Sequence, residues 1–166
     1  MIRMAMYHAS QLIASSDINF RLMNESRTVI CDFTDDSNID FILTQFRSNN
    51  QGPRGRLSLH IENITGDGML PVIDIYLNLE RENEPAEKNY LGSMALYGLS
   101  ESSAKTSEND GAGQERVFDA GQVFNKMHNQ SNWSDNQFRL TLIPARPIPK
   151  DASLTIGRVA LYFHQS

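Results

Sequence analysis

Arg56-Leu57-Ser58-Leu59-His60-Ile61-Glu62-Asn63-Ile64-Thr65-Gly66-Asp67-Gly68-Met69-Leu70-Pro71-Val72-Ile73-Asp74-Ile75-Tyr76-Leu77-Asn78-Leu79 is the stretch that decides the fold class of this chain. Leu57, Leu59 and Ile61 alternate with Ser58, His60 and Glu62. After a glycine-rich break, Ile73, Ile75, Leu77 and Leu79 alternate with Val72, Asp74, Tyr76 and Asn78. Side chains that repeat every second residue bury one face and wet the other, which is the signature of a strand. Thr65-Gly66-Asp67-Gly68 tolerates the positive φ angles of a tight link. The stretch is therefore expected to form a β-hairpin, or two neighbouring strands, at the centre of a sandwich.

On the N-terminal side, Ile18, Phe20 and Leu22 alternate with Asn19, Arg21 and Met23, and Val29, Cys31 and Phe33 alternate with Thr28, Ile30 and Asp32, predicting two short strands. Ile39, Ile42, Leu43 and Phe46 fall at i, i+3, i+4 and i+7 behind Asp36 or Ser37 as a cap, predicting a short amphipathic helix. Asn49 to Pro53 ends it. On the C-terminal side, Glu80 to Lys88 reads as an exposed charged loop, Tyr90 to Leu99 as a strand bent at Gly92 and Gly98, and Ser100 to Gln114 as the longest apolar-poor loop. Asp119 can cap a second short helix bearing Val123, Phe124 and Met127. Phe138, Leu140 and Leu142 form a strand whose nearness to Pro144, Pro147 and Pro149 marks an edge or crossover, and the last strand runs from Leu154 to Phe163. The expectation is an all-β chain: an antiparallel β-sandwich or flattened barrel of about seven to eight strands with two short helices. It forms a single domain over residues 1–166, with residues 1–11 a loose N-terminal extension.

With 166 residues the chain can bury a core without disulfide or metal support. Its 15 basic and 20 acidic residues give a net charge of −5, and no basic run exceeds an isolated pair, which argues against nucleic acid and anionic membrane as partners. A single cysteine, Cys31, excludes an internal disulfide and a cysteine-based zinc site; in a strand-like run it reads as a small core residue. Met1 to Met6 is apolar but too short for the core of a signal peptide, and no apolar run approaches membrane-spanning length, so the chain is expected to be soluble.

Catalytic chemistry is hard to assemble from these residues. His8, His60, His128 and His164 stand far apart, and none pairs with another at the spacing of a helical metal site; a site assembled by the fold stays open. Gly66-Asp67-Gly68 and Gly111-Ala112-Gly113 lack the strand, helix and lysine of a phosphate loop and read as turns. No Gly-x-Ser-x-Gly elbow and no Cys–His arrangement is present.

Several segments in fixed order nevertheless resemble the C-terminal β-rich domain that follows the copper-binding core in bacterial tyrosinase-like proteins, and more distantly that of plant polyphenol oxidases. They are Ile13-Ala14-Ser15-Ser16-Asp17, Leu59 to Gly66, Ile75-Tyr76-Leu77-Asn78-Leu79, Gly92 to Leu99, the helix from Val123 to His128, Leu142 to Pro149, and Ile156 to Tyr162. The likeness spans most of residues 12–163. It implies a type 3 dicopper centre held by six histidines in a separate core, and no metal or catalytic residue in this chain. It also implies an accessory domain that packs over that core, in the same polypeptide or in trans, and in some relatives places one apolar side chain in the pocket. Gly66-Asp67-Gly68-Met69-Leu70-Pro71 puts two large apolar residues on a strand connection, so Met69 or Leu70 is the candidate for that plug or docking contact. Alternatively both close one end of the sandwich. The competing reading is a free-standing binding module for a small ligand, glycan or protein, using loops 80–90 and 100–116 with Trp133, Tyr90 and Tyr97. A third is a small metalloenzyme built on the scattered histidines.

Overall fold

The computed structural model describes residues 10–17, 19–34, 39, 42, 55–106, 111–130, 133, 134 and 136–165. Ten strands are present: β1 (Ser10–Ser16), β2 (Phe20–Arg21), β3 (Arg27–Phe33), β4 (Gly55–Asp67), β5 (Ile73–Leu77), β6 (Tyr90–Met94), β7 (Gln114–Asp119), β8 (Gln137–Pro144), β9 (Ser153–Ile156) and β10 (Arg158–Gln165). They join in one antiparallel sheet of order β2-β9-β4-β10-β1-β3-β8-β5-β6, with β7 added to β4. Among the described residues two short helices can be bounded, α1 (Leu99–Ser103) and α2 (Gly121–His128), along with one 3-10 turn (Glu87–Asn89). The all-β, antiparallel, sandwich-like class expected from alternation is what forms.

The alternation does what its period requires. Leu57, Leu59 and Ile61 of β4, Ile73, Ile75 and Leu77 of β5, and Val159 and Leu161 of β10 are all completely buried on the inner face. The sheet curls until β6 and β7 meet: the Phe118 ring lies against Gly92, and Arg116 Nη2 donates to Ala95 O at 2.9 Å. No ladder joins β6 to β7 among the described residues, so the structure is a flattened, unclosed barrel.

Several expectations about pairing are corrected. β4 and β5 do not form a hairpin, because β10, β1, β3 and β8 stand between them. Thr65, Gly66 and Asp67 belong to β4 itself, which bends at Asn63 (φ 52°) and continues along β9. Gly66 is required there by packing: a Cβ would stand 2.2 Å from Ser153 O. β1 is a central strand beginning at Ser10, so the loose extension drawn to residue 11 is too long. A register shift between Leu12 and Ala14 places Ile13 and Ala14 both in the core and hides the period. Of the strand expected over Ile18–Met23, Phe20 and Arg21 form β2, Leu22 and Met23 lie past its end, and Ile18 lies outside the described residues. β8 lies between β3 and β5 and is no edge; its prolines fall at and beyond its end. Leu154 to Phe163 is two strands, separated at Gly157.

The stretch from Ser100 to Gln114 is not all loop, since Leu99, 3% exposed, anchors α1 and β7 begins at Gln114. Ile39 and Ile42 of the first expected helix are helical and buried. Leu43, Phe46 and the caps Asp36 and Ser37 lie outside the described residues. The second expected helix is α2, where Asp119 Oδ1 accepts from Gly121 N at 3.2 Å and Phe124 and Met127 are buried. No helix among the described residues is long and apolar enough to cross a membrane.

Candidate functional site

The connection from β4 to β5 carries both candidate plug residues, and the fold treats them differently. Met69 is 87% exposed, whereas Leu70 packs partly buried against the core. The loop is tied at both ends. Asp67 Oδ1 accepts from Gly68 N at 2.9 Å and from the Ser100 hydroxyl at 2.7 Å, and Val72 O accepts from Ala145 N at 2.9 Å. The same two donors, Ser100 first, hold the Asp67 carboxyl below its ordinary value. Gly68 (φ +86°) takes the left-handed turn and rests against Ala152, which forbids a side chain twice over. Ala152 also lines a shallow groove of about 170 Å³ together with Met23, Ile148 and Pro149. Met23, at 59%, and Val72, at 40%, are also exposed. A long, soft thioether on a braced loop is suited to entering a recess in another surface.

The histidines take separate places. His60 lies on β4 with Nδ1 at 2.5 Å from Glu115 Oε1 of β7, and Glu62 lies two residues along on the same face. His128 ends α2 with its ring 5.3 Å from that of Trp133. His164 Nδ1 stands 2.8 Å from the Ser10 hydroxyl, and burial, then Arg56 and His60, push its pKa down. His8 lies outside the described residues. The chain's four histidines are fewer than the six of the dicopper centre implied by the resemblance, and among the described residues only His60 joins a group of metal-capable donors. These residues do not fit a dicopper centre. The alternation of His60 and Glu62 was visible in the sequence, but the contribution of Glu115 from a distant strand was missed.

Other candidates are occupied by structure. Trp133 packs partly buried on the core, tilted against Phe33 and edge-on to Phe124. Tyr90, on β6, hydrogen-bonds Ser93, whose hydroxyl donates to Asp74 at 2.6 Å; Tyr97 is 85% exposed. The acidic run 80–88 is exposed, and among the described residues its carboxylates assemble no metal-capable group. Burial raises the Cys31 thiol to about 12, removing it as a nucleophile.

Comparison with known proteins places the chain. It is 31% identical over 111 residues to Tyrosinase HcTyr1 of Hahella sp. (strain CCB-MM4), an alignment covering 67% of this chain and 24% of that protein. Its fold resembles that of a recombinantly expressed latent aurone synthase (polyphenol oxidase), with a TM-score of 0.55, 14% identity, and coverage of 88% of this chain and 26% of the other. The chain thus spans about a quarter of the length of the relatives it matches, and the resemblance read from its motifs holds: its sequence is similar to part of a tyrosinase and its β fold to part of a polyphenol oxidase. Over residues 9–164 it belongs to the family described as Domain of unknown function (DUF7868).

Proposed function

We propose that this chain is a non-catalytic accessory domain at the C-terminal side of a tyrosinase-like copper oxidase, packing on the copper-binding core and restricting substrate entry. The observation that carries the reading is the alignment itself: two thirds of this chain matches only a quarter of a tyrosinase, as one part of a larger oxidase would. The dicopper centre would be supplied by that core, since this chain lacks the histidines for it. Met69, exposed on its braced loop, is the residue that enters the pocket, and Leu70 is its anchor.

The test is oxidation of a diphenol by the copper-loaded core alone and with this domain attached. Turnover is expected to be lower with the domain attached. Met69→Ala should recover part of it while changing domain stability by no more than about 0.5 kcal/mol, because the side chain is solvated. Equal turnover with and without the domain would overturn the proposal.

A further inference from the structure

The outer face of β4, β10 and β7 carries the single mixed group of nitrogen and oxygen metal donors found among the described residues. We propose that His60, Glu62 and Glu115 bind one divalent transition-metal cation of the zinc class, bracing β7 against β4. One ring nitrogen of His60 and one carboxylate oxygen from each glutamate lie within 4.8 Å of one another. An imidazole with two carboxylates and no sulfur is a donor set that zinc accepts, with room left for water.

The backbone explains how three distant residues meet. His60 and Glu62 are two apart on β4 and so share its outer face. Opposite them, the β4–β7 ladder pairs Ile61 with Arg116 and then skips to Ile64 with Gln114. Glu62 and Asn63 therefore oppose the single residue Glu115, and bulges of this kind re-aim side chains. The cation would sit across this interruption. β7 is the one strand outside the linear order of the sheet, and its recorded ladder is with β4 alone, so a link at this point has something to hold.

Charge and orientation agree. Arg158 is committed first to Asp17, with Nε at 2.6 Å from Oδ1, and stands further from Glu62, with Nη1 at 3.5 Å from Oε2. Arg158 is shared between Asp17 and Glu62, so it offsets the Glu62 charge only in part, and a divalent cation would neutralise what remains on Glu62 and Glu115. Supporting contacts of the kind that orient metal ligands are already present. Tyr162 donates its hydroxyl to Glu62 Oε1 at 3.3 Å and packs its ring edge-on to His60, with centroids 4.6 Å apart. His60 Nδ1 is the ring nitrogen that faces Glu115, 2.5 Å from its Oε1, so the cation would take the place of the proton between them.

The site is mononuclear with one histidine, is built from residues other than Met69 and Leu70, and stands or falls independently of the oxidase reading. The test is calorimetric titration of zinc chloride into the 166-residue chain at neutral pH in a non-chelating buffer, with thermal unfolding followed in parallel. Saturation at one equivalent and a zinc-dependent rise in Tm are expected. His60→Ala and Glu115→Gln should each weaken binding about tenfold or more with the far-UV spectrum unchanged. Glu115 is half exposed, so that variant tests the site even if His60→Ala loosens the fold. His128→Ala should bind as the parent does. Absence of saturable binding, or binding that survives both His60→Ala and Glu115→Gln undiminished, would overturn the proposal.

Discussion

Asn89 reaches three acceptors from a position 3% exposed to solvent: Leu77 O at 2.8 Å, Asn78 O at 3.0 Å and Met127 Sδ at 3.2 Å. Its amide thereby ties the end of β5 to α2. Asn78, at φ 49°, completes the arrangement by accepting from Arg139 N at 2.7 Å. Asn89→Ala would strand two buried carbonyls, and we expect a loss of about 2 to 3 kcal/mol in urea unfolding with little change in the denaturant slope. None of this was legible in the sequence, where Asn89 looks like the end of a charged loop; hydrogen bonding to a backbone more than ten residues away leaves no periodic trace. By the same reasoning, Met69 and Leu70 were recognisable as apolar residues on a connection, but the ties from Asp67 and Val72 decide which one projects. His60 and Glu62 were paired by alternation, whereas Glu115 needed the fold.

Strands β3 and β5 were legible because each keeps a clean period of two against the core, and β8 and β10 because only the buried Thr141 and Ala160 interrupt theirs. β7 was not, because its pattern is inverted: Arg116 points inward, where its guanidinium finds Ala95 O, and Val117 points outward at 55% exposure. β1 was lost to its register shift. Partner choice was the larger gap, since alternation says that a strand has a buried face but not which strand lies beside it. β4 is the clearest case, pairing with both β10 and β7 and then running past its expected turn to pair with β9. Gly66 is what permits the last of these pairings. Gly66→Ala would drive a methyl into Ser153 O and the Leu99 side chain, 2.2 Å and 2.9 Å away. A cost of about 2 kcal/mol or more is expected in thermal or urea unfolding, with amide exchange accelerated first in β9. Retained protection there would show that the backbone shifts easily.

The described part of the molecule is a curled antiparallel sheet whose interior is mainly apolar, with a few buried polar side chains such as Asn78, Asn89 and Thr141. Its sequence revealed the class of fold through alternation and the likeness to part of a tyrosinase through ordered motifs. Catalysis could be argued against only from missing motifs and the wide spacing of four histidines, where the dicopper centre that the resemblance implies uses six. The match to a quarter of a tyrosinase turns that count into a positive expectation about size. The most direct measurement is the mass of the native species in the source cells, by immunoblot with antibodies to this domain and by intact mass, together with its copper content. The account predicts either a polypeptide several-fold larger than 18.7 kDa carrying two coppers, or this domain co-purifying with such a protein. A copper-free 18.7 kDa species with no copper-protein partner would contradict it.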